Sequence, residues 1–185
     1  MTFEEREELK ALLKQYSVRT GGDFLLASGQ RSSVYVDAKL TTCRARGTRL
    51  VGRAFLAKMA ERGWQPQAVG GLVLGADPIV MAIARESLDL GVEIDAYLVR
   101  KEAKGHGTKK HIEGLTSMEG LNVVVIDDVC TTGESTVAAV QHSRNAGMNV
   151  LGAICLVDRL MGARDNLEVG MKCPFDAVFT LPELT

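Results

Sequence analysis

The chain of 185 residues contains no apolar run approaching the length of about 18 that a membrane-crossing helix requires, and it opens without a signal-type segment. These absences argue against a helical membrane protein and lead to the expectation of a soluble, cytoplasmic one. Its four cysteines, Cys43, Cys130, Cys155 and Cys173, lack Cys-x-x-Cys spacing and the context of a small disulfide scaffold, so they are expected to stay reduced. Neither sign of charge dominates: 22 Lys and Arg stand against 23 Asp and Glu, a net charge of −1, which implies no general nucleic-acid surface. No Gly-x-x-x-x-Gly-Lys-Ser/Thr occurs, which removes most of the P-loop nucleotide-binding readings. What is present is a 46% hydrophobic chain of a size that suits one domain burying about 70% of its unfolded surface.

Residues 121 to 135 carry the strongest signal. Val123-Val124-Val125-Ile126 is short, continuous and β-branched, the pattern of a central strand buried on both faces of a parallel sheet. Asp127 and Asp128 fall at its carboxyl end, the edge where open α/β sheets bind ligands. Val129 and Cys130 then lead into Thr131-Thr132-Gly133-Glu134-Ser135, which offers three hydroxyls and a glycine ahead of the helical spacing Val137, Val140, Arg144. A helix start of this kind suits a phosphate, because its unpaired N–H groups point outward and the helix dipole favours an anion. The acid pair is compatible with that phosphate if the ligand also carries hydroxyls. Carboxylates accept charge-assisted hydrogen bonds, so Asp127 and Asp128 suit the 2′ and 3′ hydroxyls of a ribose whose 5′-phosphate sits on the loop. A receiver-type acidic pocket and a P-loop magnesium aspartate are the competing readings of the same pair.

A second signal is basic. Residues 100 to 114 hold five Lys or Arg against two Glu, two of the three histidines and three glycines. A solvated charged hairpin is the ordinary reading of such a stretch. This one lies between two expected parallel strands, Ile94 to Val99 and the Asp-Asp strand, where a helical crossover is the usual connection, and the glycines flanking His106 suggest a loop that moves. A third signal is Asp158-Arg159 at the end of the strand-like run Val150 to Val157; alone, it reads equally as a surface ion pair.

The other segments fit alternating strands and helices, hence a parallel sheet. Thr2-Phe3-Glu4-Glu5 suggests a capping box before an amphipathic helix bearing Leu9, Leu12, Leu13 and Tyr16. Residues 24 to 37 suggest two short strands around a glycine turn, Leu50 to Phe55 a helix, Ala68 to Leu74 a strand, and Ile79 to Glu86 a helix. Gly70 to Pro78 reads either as an anion-binding turn or as a plain βα turn. The Cys130 thiol is expected to be small-residue filler.

The strand, acid pair and Thr-x-Gly loop resemble the phosphoribosyl diphosphate (PRPP) motif of type I phosphoribosyltransferases. The order Arg100-Lys101-Glu102-Ala103-Lys104-Gly105-His106-Gly107 resembles, more narrowly, the catalytic loop of orotate phosphoribosyltransferases, as does the apolar strand ending Asp158-Arg159. The resemblance implies an α/β type I fold over residues 1–185, with a central parallel sheet, flanking helices and a small hood from about residues 1–40. It implies that Lys101, Lys104 and His106 are catalytic, that Arg100 joins them on the pyrophosphate, and that residues 127 to 135 bind PRPP. Arg159, with Thr131, is then on the orotate side. The implied reaction joins ribose 5-phosphate to orotate with Mg²⁺ held mainly by substrate and water, in a homodimer whose loops reach into neighbouring sites. Two departures are visible: Ala27 and Leu74-Gly75 replace positions where many relatives have Lys and Tyr-Lys. A transferase for another base and a non-catalytic PRPP sensor are the alternatives. The first should lack the basic loop and the Asp-Arg end, and the second should carry a nucleic-acid surface or an added binding domain.

Overall fold

A computed structural model describes residues 1–25, 29, 31–102 and 111–185. The chain begins with α1 (Phe3–Leu12), continued by a π-helical turn to Ser17. The capping box forms as expected: Thr2 accepts the Glu5 N–H at 3.2 Å and Glu5 accepts the Thr2 N–H at 2.9 Å, so two donors at the helix start are satisfied. An antiparallel pair follows, β1 (Val18–Leu25) and β2 (Arg31–Val36), longer on its first arm than the glycine turn suggested. Then come α2 (Lys39–Thr42), α3 (Ala45–Glu61), β3 (Ala68–Leu72), α4 (Asp77–Asp89), β4 (Asp95–Val99), β5 (Ile112–Glu113) and β6 (Asn122–Cys130). The order closes with α5 (Glu134–Asn145), β7 (Asn149–Asp158), α6 (Ala163–Asp165) and β8 (Phe175–Thr180).

The main sheet has the order β5-β4-β3-β6-β7-β8, parallel except for the short antiparallel edge strand β5. Alternation along β6 shows why this strand is central. Val124 and Ile126 enter a core with Phe55, Ile79 and Ile83 from α3 and α4, while Val123 and Val125 enter another with Tyr97, Val140 and Phe175 on the α5 side. All four are fully buried, so neither face of β6 meets water. Strand β8 is an addition to the expected set; Phe175 and Phe179 bury it, but its six residues after Pro174 give little periodicity to read.

From β3 the chain moves outward to β4, then returns across β3 to β6. The strand order therefore reverses between β3 and β6, and the connections leaving their carboxyl ends diverge there. The ladder between β3 and β6 covers only Ala68–Gly70 against Val123–Val125, whereas β6 stays paired with β7 as far as Cys130. The second half of β6 thus runs past its neighbour into the crevice. After β4 the chain pairs antiparallel with β5, the basic segment lying between them in sequence, and the Arg100 N–H donates to the His111 carbonyl at 2.7 Å. The described ends of that segment form the base of a hairpin at the sheet edge, and residues 103–110 lie outside the described residues.

Candidate active site

The acid pair lies at the overhanging end of β6 with its two members in different environments. Asp127 is 5% exposed. Its Oδ1 accepts the Asp128 N–H at 2.9 Å and its Oδ2 accepts the Thr136 hydroxyl at 2.6 Å. Burial, and then the neighbouring Asp128 charge, push the Asp127 carboxyl up to about 7 against those two donors. Asp128 is nearer the surface, with Lys39 Nζ at 4.0 Å and the Val129 N–H donating to Oδ1 at 2.9 Å. Lys39 also meets Asp37 at 2.8 Å, and that hydrogen bond raises its pKa, so it remains a cation at the mouth.

Next to Asp128 stands Gly75, in the turn between β3 and α4. A Cβ on Gly75 would lie 2.4 Å from Asp128 Oδ1, so this glycine leaves the space that the carboxylate occupies. The same turn begins a cavity of about 570 Å³ lined by Val73, Leu74, Asp77 and Leu98 and, at the base of the basic hairpin, by Arg100, Lys101, Glu102 and Glu113. Among the described residues Asp77 Oδ1 is buried without a hydrogen-bond partner, and burial raises its pKa. Arg100 lies 3.5 Å from Glu113. His111 closes the hairpin base, its Nδ1 3.2 Å from the Arg100 carbonyl, and its ring stacks on His142 of α5 with centroids 3.9 Å apart. Of the expected loop residues, Arg100 and Lys101 reach this cavity; Lys104 and His106 lie outside the described residues.

Beyond the acid pair, Asp127, Val129, Cys130 and the loop from Thr131 to Ser135 enclose a second cavity of about 110 Å³. Gly133 is the N-cap of α5 at φ 80°, ψ 12°, a left-handed conformation that glycine takes without steric cost, and an added Cβ would press on Ala163 at 3.2 Å. No side chain caps α5, and its first N–H to be bonded within the helix is that of Val137, which donates to the Gly133 carbonyl at 2.8 Å. Gly133, Glu134 and Ser135 thus put a helix start, whose first N–H groups lack partners within the helix, at the wall of this cavity. The Cys130 thiol is turned inward, 1% exposed, 3.1 Å from the Thr136 hydroxyl and 3.8 Å from Asp127 Oδ2, and its hydrogen bond with Cys155, then burial, raise its pKa.

Arg159 occupies the third side. It is 6% exposed, and its Nη2 donates to the Ser32 hydroxyl at 2.9 Å and the Val34 carbonyl at 3.0 Å, which ties the sheet edge to the hood strand β2. Asp158 is no ion-pair partner for it. Its Oδ1 instead accepts the Leu160 N–H at 2.8 Å, holding the turn in which the Arg159 N–H donates to the Cys130 carbonyl at 2.9 Å. Among the described residues no carboxylate pairs with Arg159, its Nε is buried without a partner, and burial lowers its pKa. A buried guanidinium left in this state is suited to an anionic, planar ligand. The structure thus brings together Arg100, Lys101, residues 127 to 135 and Arg159 at one sheet edge. Lys39 and Thr136 were missed by pattern reading; a hydroxyl just inside the helix and a lysine two residues after Asp37 were the only signals.

A family model described as a phosphoribosyl transferase domain matches residues 47–179. The orotate phosphoribosyltransferase of Synechocystis sp. is 44% identical over 179 residues, covering 97% of this chain and 88% of that protein. The Aquifex aeolicus protein of the same name is 43% identical over 186 residues, covering 100% of both. Among solved structures, the Mycobacterium tuberculosis orotate phosphoribosyltransferase in complex with PRPP superposes with a TM-score of 0.79 at 34% identity, covering 97% of this chain and 98% of that one. With a full-length match of this kind over a shared fold, the chain belongs to the orotate phosphoribosyltransferases.

Proposed function

We infer that the chain transfers the 5-phosphoribosyl group of PRPP to a ring nitrogen of orotate, giving orotidine 5′-phosphate and pyrophosphate, a step of UMP synthesis. The observation that carries the base assignment is the buried Arg159, held by β2 and lacking a carboxylate partner among the described residues. The orotate carboxylate supplies that partner. Thr131, at the near end of the phosphate loop, is proposed to touch the orotate as well.

The ribose hydroxyls donate to Asp127 and Asp128, and the 5′-phosphate sits on the N–H groups at the start of α5. This arrangement directs the pyrophosphate toward the Gly75 turn and the cavity of Arg100 and Lys101; Lys104 and His106, outside the described residues, are proposed to contact it as well. The C1′–pyrophosphate bond lengthens first, so positive charge develops on the sugar ring and negative charge on the leaving oxygens. Two carboxylates beside the ring favour the former and the basic hairpin favours the latter, most strongly where water is excluded. Orotate, fixed by Arg159, then presents its nitrogen to C1′, and most of the acceleration comes from position.

Mg²⁺ is the proposed cofactor. Among the described residues no three His, Cys, Asp or Glu side chains group to hold a metal, while the hydroxyl and carboxylate oxygens of the edge suit a hard, hydrated ion. Held mainly by substrate and water, such an ion would supply charge neutralisation at the leaving pyrophosphate. The four free cysteines support a reducing, cytoplasmic setting.

A homodimer with shared sites is part of the proposal. Mixing Lys104→Ala chains with Asp127→Asn/Asp128→Asn chains should restore activity that neither parent has; a mixture as inactive as its parents, with subunit exchange demonstrated, refutes the sharing. For the reaction itself, the orotate absorbance change on adding PRPP and Mg²⁺ should appear, with no pyrophosphate release from adenine, guanine, uracil or xanthine. Turnover of one of those bases overturns the Arg159 assignment, and PRPP binding without any turnover makes the chain a sensor.

A further inference from the structure

One member of the acid pair is oriented by a helix. Asp127 is buried, yet among the described residues no cation pairs with it. Its Oδ2 is engaged by the Thr136 hydroxyl at 2.6 Å, a short bond, and Thr136 is itself 1% exposed in the first turn of α5. A threonine has one hydroxyl proton, and Asp127 takes it. The Cys130 thiol lies 3.1 Å from the Thr136 hydroxyl oxygen and donates to Asp127 Oδ2 at 3.8 Å. Both donors reach the Asp127 carboxylate from the protein side, the Thr136 O–H at much the shorter distance.

We propose that Thr136 is a positioning residue of the transfer reaction: its hydroxyl holds the Asp127 carboxylate ionised and in the orientation that accepts a ribose hydroxyl. Helix α5 then fixes the sugar at two points, through the 5′-phosphate at its first N–H groups and through the acid pair. The proposal rests on the reading of Asp127 as a ribose acceptor.

The electrostatic surroundings support it. The groups facing Asp127 are Asp128 and Cys130 from β6, the Thr136 hydroxyl from α5 and Cys155 from β7, with Asp158 beyond Cys155 and Lys39 reaching only Asp128. Desolvation and Asp128 both favour the neutral acid, and the donors opposing them are the Thr136 hydroxyl and the Asp128 N–H. Removing one of the two lets the carboxyl hold its proton to higher pH. A neutral Asp127 spends its own proton as a donor and is a poorer acceptor for ribose.

The test compares Thr136→Val, which keeps the shape and deletes the hydroxyl, with Thr136→Ser, which keeps the hydroxyl. The readouts are the pH profile of kcat/KM for PRPP and the ¹³C-carboxyl titration of Asp127 in the free protein. T136V should move the acid limb and the titration up together by about one pH unit, lowering kcat/KM for PRPP about tenfold on that limb. KM for orotate should change little, and T136S should restore the wild-type profile. If T136V does not fold, Thr136→Ala read against T136S supplies the same contrast. Coincident limbs and titrations in the presence and absence of the hydroxyl overturn the proposal. Asp127→Asn separates the two levels: unchanged PRPP affinity in D127N overturns the ribose assignment, and the proposal with it. Weakened PRPP affinity in D127N with an unmoved T136V profile overturns the role of Thr136 alone.

Discussion

Replacing Arg159 by Met should separate function from stability. The guanidinium makes two hydrogen bonds to the hood, to Ser32 at 2.9 Å and Val34 at 3.0 Å, and leaves its buried Nε unmatched. Each lost hydrogen bond costs about 1 kcal/mol, but Met also removes a charge whose burial is offset by no carboxylate among the described residues. The two effects oppose each other, and the ligand-free variant should keep its stability to within about 2 kcal/mol in urea titration. Orotate binding has no such offset. Truncating one partner of a buried, hydrogen-bonded charge pair costs about 2–5 kcal/mol, so kcat/KM for orotate should fall by more than about a hundredfold while KM for PRPP changes little. Arg159→Lys keeps the charge and loses the fork, and should fall between the two. Steady-state kinetics with each substrate varied in turn is the assay. Wild-type kcat/KM for orotate in R159M, or an equal loss for PRPP, refutes the assignment of this arginine to the base.

Gly75→Ala places a Cβ 2.4 Å from Asp128 Oδ1 and must displace that carboxylate; KM for PRPP should rise about tenfold with the melting temperature within a few degrees of wild type, since the position is a turn outside the core. The raised Asp127 pKa gives a pH dependence of definite sign. Free Asp127 binds a proton below about 7 and ribose takes the carboxylate form, so PRPP binding at pH 6 should release protons and weaken as pH falls, an effect that calorimetry in buffers of different ionisation enthalpy should show and that D127N should abolish. The same shift acts oppositely on folding: with the folded pKa above the ordinary 3.8, this group's contribution to stability is present at low pH and is lost as pH rises toward 7. A proton release equal in D127N and wild type refutes the titration of Asp127 as its source.

Local chemistry was enough to reveal the central strand, the carboxylates at its end and the glycine loop that leads into α5. The run Val123 to Ile126 admits only a strand without a solvent face, and Gly133 followed by an uncapped helix start is a local device for holding an anion. The basic segment could be recognised from its composition, yet its place between antiparallel β4 and β5 was not foreseen, because two residues of pairing leave no periodicity. Strand β8 was invisible for a similar reason. Asp158 illustrates the limit of reading neighbours in sequence as partners: its carboxylate serves the Leu160 N–H, and Arg159 turns away to β2.

Sequence by itself determined the kinds of groups this protein brings to its substrates, because acidity, charge, hydroxyls and turn-forming glycine are properties of residues taken a few at a time. Tertiary structure alone decided how those groups behave. Asp127 and Asp128 are adjacent and chemically identical, but burial and a threonine on another element make one a high-pKa group held from behind, while the other stands at the mouth beside Lys39. Arg159 is a buried guanidinium without a carboxylate among the described residues because β2, more than 120 residues earlier in the chain, satisfies one edge of it and none of its charge. Desolvation and long-range pairing depend on what surrounds a group in space, and that information is absent from any local stretch of sequence.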